Sequence, residues 1–509
     1  MIILTKKFKT DELIGIGLSV LAMFLLVVIV SLGLNNALST DEGYTFHLMG
    51  MSYKDAILTT AGDVHPPLYY ILLKFVIGLF SPGNSFNIIV GKLFSLVPLI
   101  LLIFFSLIKV RKDFGWLASG IFTFCIVAMP RMMFYNLEAR MYSLSVLFVT
   151  LSFYYCSMIT NESNRKNWII FTLFSLLAAY THYYATIAIF FMYLLLIYNI
   201  LSKNKNLIRT WVLSSVVTIL AYIPWIYLFV SCSKYFNSTQ WTQPTINNII
   251  SIFAFIFSPI KDVYEFKYLL NRSLNMTFEI FGVLLFVAFV LLFIFHISKR
   301  NKENGSSLTF IEWSGIFVLF STIFFAILFS FSIKPMFEVR YITPMLGCLW
   351  LSFAVLLSKS YSTKKIFAPI LIVLLLVGFS HGVTFIDFKH HYDESISDFK
   401  NNLNQIDKND TVIFLIYPWA EYFVEYYYTG NKLIIWSDTN QTVLNGEKAS
   451  KNGNVLLYDM GVGVLDPKKG NYVNTTLIID GFKLENVSRL IIPDYYRYFT
   501  NHVYTIKPQ

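Results

Sequence analysis

Two adjacent acids, Asp41-Glu42, are followed twenty-odd residues later by Asp63-Val64-His65-Pro66-Pro67-Leu68-Tyr69-Tyr70. Both motifs interrupt a chain otherwise suited to lipid, and acids with a histidine beside a bilayer suggest chemistry at its surface. Three later motifs add to them: Glu138-Ala139-Arg140-Met141-Tyr142, Thr181-His182-Tyr183-Tyr184 and Glu338-Val339-Arg340-Tyr341. Ionisable groups at membrane depth are costly and usually line a polar cavity. Any one of these charges, taken alone, also reads as a solvated loop residue or a helix-end anchor. Their meaning therefore depends on whether the elements between them bring them to the same face.

Those elements are membrane spans. The chain is 56% hydrophobic and only 14% charged, with a mean hydropathy of +0.59 and repeated apolar runs of about twenty residues, the length that crosses a bilayer. Eleven runs qualify: 13–33, 86–108, 114–130, 142–159, 168–180, 185–201, 211–230, 278–297, 310–331, 342–357 and 366–385. The run 66–80 is shorter, opens with two prolines and carries Lys74, so it reads as a twelfth span or as a helix lying in the interface. The positive-inside rule decides between them. With 66–80 lying flat, the dense basic clusters at 6–9, 109–112, 165–166, 203–209, 299–302 and 364–365 share one side, which is then the cytoplasm. The expectation is an α-helical polytopic membrane protein of eleven spans plus an interfacial helix, with a retained first helix and a cytoplasmic N-terminus.

The same parity puts Asp41-Glu42, Asp63, His65, the turn with Glu138, Arg140 and Tyr142, and the Arg340-Tyr341 motif together on the outer face. A membrane enzyme with an extracytoplasmic active site would look like this. After residue 386 the character changes. Residues 387–509 are polar, with strand-like runs at 411–416, 433–436, 455–458, 476–479 and 489–492 and a helix-like run at 419–428. The expected division is a transmembrane catalytic domain, 1–386, and a small extracytoplasmic α/β domain, 387–509.

Other classes are disfavoured. The net charge of +10 lies mainly between apolar runs, where it sets topology, so nucleic acid is a poor partner. The four cysteines give neither a metal spacing nor a disulfide framework. No glycine-rich phosphate loop is present. A divalent metal is possible but not indicated, and no cofactor is assigned. A transporter would place polar groups near the midplane or on broken helices, whereas here they gather at one end.

The order of motifs resembles the GT-C glycosyltransferases. It runs from Asp41-Glu42 after the first span through Asp63-x-His65-Pro66-Pro67-Leu68-Tyr69-Tyr70, Lys92-Leu93-Phe94-Ser95 and Glu138-Ala139-Arg140-Met141-Tyr142-Ser143-Leu144 to a late Arg340-Tyr341-x-x-Pro344. Within that superfamily the chain, over residues 10–385, is similar to the family 39, protein-mannosyltransferase-like group and to the lipid A aminoarabinose transferase type. The resemblance implies transfer of a sugar from a polyprenyl-phosphate donor to a glycan, lipid or protein acceptor at the outer face, by a single displacement with inversion. Asp41 matches the family's catalytic aspartate and is the expected general base, because a hydroxyl nucleophile must lose its proton as the bond forms.

Each further residue keeps an alternative. Glu42 orients Asp41 or caps the helix that follows. Arg140 and Arg340 would stabilise the leaving phosphate, although Arg340 at a helix end would also anchor to headgroups. His65 binds substrate or caps the interfacial helix. Asp63 bonds sugar hydroxyls or serves as an N-cap. Glu138 departs from the aspartate common in this turn, and with Arg140 it faces substrate or forms an exposed ion pair. Tyr142 and Tyr341 join them as substrate-binding candidates, while His182, Tyr183 and Tyr184 read as interfacial anchors. The apolar stripe Leu68, Ile71, Leu72, Phe75 and Leu79 faces lipid or packs in a core. An outer-leaflet ligase or polymerase using a preassembled lipid-linked glycan is the nearest rival. An oligosaccharyltransferase is less favoured, because the tail lacks Trp-Trp-Asp-Tyr-Gly.

Overall fold

The computed structural model describes residues 8–63, 65–84, 87–232, 244–260, 272–302, 309–333, 335–406, 411–416, 421–436, 455–459, 472–473, 476–479, 482–493 and 498–508. The chain divides into two compact units. One comprises residues up to 34, 51–80 and 90–386; the other comprises 35–50, 81–89 and 387 onward.

The first unit is helical. Its elements are α1 (Thr10–Gly33), α3 (Tyr53–Ala61), α4 (Leu68–Phe80), most of α5 (Ile88–Phe105), α6 (Arg111–Ala128), α7 (Met132–Tyr135), α8 (Tyr142–Asn161), α9 (Arg165–Ala179), α10 (Tyr183–Lys203), α11 (Ile208–Cys232), α12 (Ile246–Phe257), α13 (Arg272–Lys302), α14 (Phe310–Ser332), α15 (Leu346–Lys359) and the apolar part of α16 (Lys364–Asn404). Among the described residues nine helical stretches are long and apolar enough to cross a membrane.

One of these nine, Ile88–Ala128, is two spans. A straight helix would separate Ser106 from Ser119 by about 20 Å. Instead the Ser106 hydroxyl donates to the Ser119 carbonyl at 3.0 Å and the Ser119 hydroxyl returns a bond to the Ser106 carbonyl at 2.9 Å. The chain therefore doubles back between them, at Gly115, whose φ of 89° is readily accessible only to glycine. With α9, only 15 residues long, the eleven expected runs are all helical.

The inner helices are α6 from Leu117 onward, α8 and α15, in which most residues are buried. Because lipid supplies no hydrophobic drive between helices, close backbone approach matters. A Cβ on Gly120 of α6 would lie 2.0 Å from the Gly15 carbonyl oxygen of α1, so these two helices touch backbone to backbone. Helix α4 buries Tyr69, Tyr70, Leu73 and Ile77, while Leu72, Phe75 and Leu79 point outward. Of the two readings of its stripe, core packing is excluded by this exposure.

The second unit contains α2 (Thr40–Gly50), the rest of α16, α17 (Glu421–Tyr427) and seven strands: β1 (Thr411–Ile416), β2 (Lys432–Trp436), β3 (Val455–Asp459), β4 (Tyr472–Val473), β5 (Thr476–Ile479), β6 (Phe482–Pro493) and β7 (Tyr498–Pro508). The sheet order is β2-β1-β3-β7-β6-β5-β4. Strand β1 pairs in parallel with β2 and β3, in register Val412 to Lys432 and Val412 to Leu456. The remaining pairs are antiparallel. Helix α17 makes the β1–β2 crossover that parallel strands require.

Candidate functional site

In the helical unit, short connections at helix ends supply a compact polar cluster. His65 lies in the α3–α4 connection, Tyr135, Glu138 and Arg140 in the α6–α8 turn, His182 between α9 and α10, and Arg340 and Tyr341 in a 3-10 turn, Val339–Met345, that leads into α15. The imidazole of His65 sits 4.9 Å from that of His182, 5.2 Å from the Tyr341 ring and 6.4 Å from the Tyr142 ring. His182 is 5.2 Å from Tyr341 and 6.0 Å from Tyr142. Tyr135 extends the group, 4.6 Å from Tyr142. The Arg140 guanidinium lies 5.9 Å from the Tyr70 ring and that of Arg340 5.8 Å from the Tyr341 ring.

Most of the cluster is buried, and it holds two arginines. His65 and His182 are each 1% exposed, and Arg140 and Glu138 are buried. Burial is the main force holding both imidazoles neutral. For His65 the neighbouring His182, Arg140 and Arg340 add to it and push the pKa well below the usual value. Burial, then Arg140 and Arg340, take His182 down to about 3. The tautomer of His182 follows from its bonds: Nδ1 accepts the Tyr184 backbone N–H at 3.1 Å, so the proton is on Nε2, which has no protein acceptor among the described residues. Neither nitrogen of His65 has a hydrogen-bond partner among them. Buried polar atoms normally find partners, so two imidazoles with unmet capacity beside two arginines form a setting for an anionic, hydroxyl-bearing ligand.

Several of the expectations are now resolved locally. His65 does not cap α4; the first amide of that helix, Leu68 N–H, is met by the Tyr180 carbonyl at 3.1 Å. Glu138 and Arg140 are not an exposed pair, since both are buried. Asp63 is partly exposed, and its charge is felt at Tyr183. Lys92 is fully buried, 3.4 Å from the Gly33 carbonyl. His182 and Tyr184, read from sequence as interfacial anchors, belong to the cluster, with Tyr184 5.4 Å from Tyr341.

Arg131 was missed altogether. It is 4% exposed and has φ of 69°, the only non-glycine residue with positive φ among the described residues. Such strain gathers at functional sites. Its Nη2 donates to the Ile260 carbonyl at 3.0 Å, its guanidinium stands 5.3 Å from the Phe255 ring, and Phe255 is 6.0 Å from Tyr135. On the same helix as Phe255, Phe253, Ile256 and Phe257 line an apolar pocket of about 350 Å³ completed by residues of α13, α14 and α15. One helix thus borders both the charged cluster and a greasy cavity.

Asp41 and Glu42 lie in the second unit, in the first turn of α2. The Ser39 backbone N–H donates to Glu42 Oε2 at 3.0 Å, and Glu42 N–H donates to Ser39 Oγ at 3.2 Å. That reciprocal pair is a capping box. Glu42, read as orienting Asp41 or capping the helix, is fully buried and makes the capping contacts. Asp41 is partly exposed. The segment is tied to the rest of its unit: Asn35 Nδ2 bonds both Asp393 oxygens at 2.9 and 2.8 Å, Leu38 N–H donates to Tyr427 Oη and the Tyr392 hydroxyl to Leu38 O, both at 2.7 Å. His47 stacks on Tyr422 with ring centres 3.5 Å apart.

No protein-family model matches the sequence, and no curated protein matches it. Solved structures do. Apo ArnT from Cupriavidus metallidurans superposes with a TM-score of 0.54 at 10% identity, covering 97% of this chain and 99% of that one. ArnT from the same organism bound to undecaprenyl phosphate gives 0.50 at 11% identity, covering 96% and 100%. The apo oligosaccharyltransferase of Archaeoglobus fulgidus gives 0.47 at 11% identity, covering 87% and 69%. At such identities the likeness concerns the fold, and through ArnT, matched along nearly its whole length, the chain has a GT-C-like membrane fold.

Proposed function

We propose that the protein is a membrane glycosyltransferase that moves a sugar from a polyprenyl-phosphate carrier to an acceptor hydroxyl at the extracytoplasmic face. The observation that carries the reading is the cluster of two buried neutral histidines, the buried Arg140 and the partly exposed Arg340, bordered, across α12, by an apolar pocket. A ligand suited to both is an amphiphile with a phosphate head and an isoprenoid tail. ArnT, which shares the fold, binds undecaprenyl phosphate.

In this reading the acceptor oxygen attacks the anomeric carbon as the bond from that carbon to the phosphate oxygen breaks. The electron pair leaves with the phosphate, whose charge Arg140 and Arg340 stabilise in a site that excludes water, where each donor counts for more than in bulk solvent. The Nε2–H of His182 and the free nitrogens of His65 meet phosphate or sugar oxygens. Asp41 takes the acceptor's proton, and inversion follows from the single displacement. Asp63, Glu138, Tyr142 and Tyr341 hold the sugar. The N-terminus is cytoplasmic, and residues 387–509 form an extracytoplasmic domain.

The test is label transfer from a panel of radiolabelled polyprenyl-phosphate monosaccharides into membrane acceptors, comparing wild type with Asp41→Asn at equal expression. Transfer by wild type with near-background signal from the variant is expected. Equal transfer by both removes Asp41 as base, and none by either, with a preassembled lipid-linked glycan transferred instead, replaces the monosaccharide donor.

A further inference from the structure

Helix α16 continues well past its apolar part, and its polar extension carries Asp387, His390, His391 and Glu394. At 100° per residue these four positions fall within about a third of the helix circumference, because spacings of three and four bring side chains onto one face. His390 and Glu394 are four apart, and His391 and Glu394 three apart. The candidate ligand atoms of His390, His391 and Glu394 all lie within 4.8 Å of one another. His390 Nδ1 is 3.3 Å from Glu394 Oε1.

A surface ion pair would explain the His390–Glu394 approach but not the state of His391. Its Nδ1 is 3.0 Å from the Asp387 backbone carbonyl. A carbonyl only accepts, so Nδ1 carries the proton and Nε2 presents its lone pair. Metal-binding histidines are prepared in this way, with the second ring nitrogen donating to a carbonyl that fixes tautomer and ring orientation. The Asp387 carboxylate, 3.9 Å from the same Nδ1, adds negative charge beside the ring. The side chains are 68% exposed for His390, 40% for His391 and 59% for Glu394, so an ion reaches them from solvent.

We propose that His390, His391 and Glu394 form a binding site for a divalent transition metal ion of the zinc type. Two imidazoles and one carboxylate suit such ions, whereas calcium and magnesium prefer oxygen-rich sets. Three protein ligands leave one position of a tetrahedral shell for water. The next two residues of the same turn, Tyr392 and Asp393, hold Leu38 and Asn35. A bound ion therefore stiffens the helix on which the segment with Asp41 is anchored within this unit.

The experiment is Zn²⁺ titration of the full chain, purified in detergent with a tag free of histidine, stripped with a chelator and read by competition against a fluorescent zinc indicator. One equivalent of Zn²⁺ is expected, with no response to Mg²⁺. Affinity falls roughly tenfold or more in His391→Ala and in Glu394→Gln, and the thermal midpoint rises on adding Zn²⁺ to wild type but not to the His390→Ala/His391→Ala double variant. All substitutions are at partly or largely exposed positions, so melting without metal should match wild type and show that the fold is kept. Absence of a bound equivalent, or equal affinity in the double variant, overturns the site.

Discussion

Acid should weaken this protein through His65 and His182 before most carboxylates titrate. Both rings are 1% exposed and stay neutral when folded, His65 because burial, His182, Arg140 and Arg340 disfavour its charge, His182 because burial and the same arginines take it down to about 3. In the unfolded chain each titrates near 6.5, so below that pH the unfolded state binds more protons and stability falls as pH drops. The stability attached to the neutral rings is fully present above about pH 6.5 and, for His182, is lost progressively down to about 3. Between pH 7.5 and 5 the linkage costs about 2 kcal/mol for His182, and His65 adds to the loss in the same direction. The comparison variant is His65→Asn/His182→Asn, which cannot titrate, and Asn at 182 still offers an oxygen to the Tyr184 amide as an N-cap. Denaturant unfolding in micelles at the two pH values, followed by tryptophan fluorescence, reads the difference. Carboxylates contribute equally to both proteins and cancel. Wild type should lose at least about 2 kcal/mol more than the double variant; parallel losses would show that the histidines are charged or solvated when folded and would remove the neutral pair on which the anion site rests.

On the proposed function, Arg140→Ala and Arg340→Ala should each weaken binding of a polyprenyl phosphate roughly ten- to hundredfold, the loss of one charge-assisted contact, measured by scintillation proximity with labelled lipid. Glu42→Gln should retain transfer, because glutamine completes a capping box as well as glutamate does, whereas Ser39→Ala should lower stability by about 1 kcal/mol. Gly120→Val should cost about 1–3 kcal/mol through overpacking against α1, seen as a lower thermal midpoint. Gly17→Ala, where an added methyl meets nothing within 4 Å inside α1, should keep or slightly raise that midpoint.

The spans were legible because each is a run of apolar residues long enough for a bilayer. The strands at 411–416 and 455–459 were legible for a related reason, being short apolar runs between polar ones. Site residues divided differently. His65, Arg140 and Arg340 stood out as charges or histidines next to spans, but His182 has the same sequence signature as an interfacial anchor, and only its 4.9 Å approach to His65 distinguishes the two roles. Arg131 sits in Met129-Pro130-Arg131-Met132, where nothing signals a left-handed backbone. Glu42 did have a readable signal, since Ser39-x-x-Glu42 is the capping-box pattern. The attachment of 35–50 to residues near 392 and 427 could not be read, because such pairing depends on tertiary packing rather than on any local pattern.

That attachment orders events during biosynthesis. The hydroxyl of Tyr427 that holds Leu38 belongs to a residue translated 389 positions later. At a ribosomal pace of about 5–20 residues per second, roughly 20 to 80 seconds pass between the emergence of Asp41 and that of its anchor. Throughout that interval the helical unit can insert span by span while the segment bearing the proposed base lacks its final support. The segment with the proposed base thus reaches its anchored form only after Tyr392 and Tyr427, which hold Leu38, have been made.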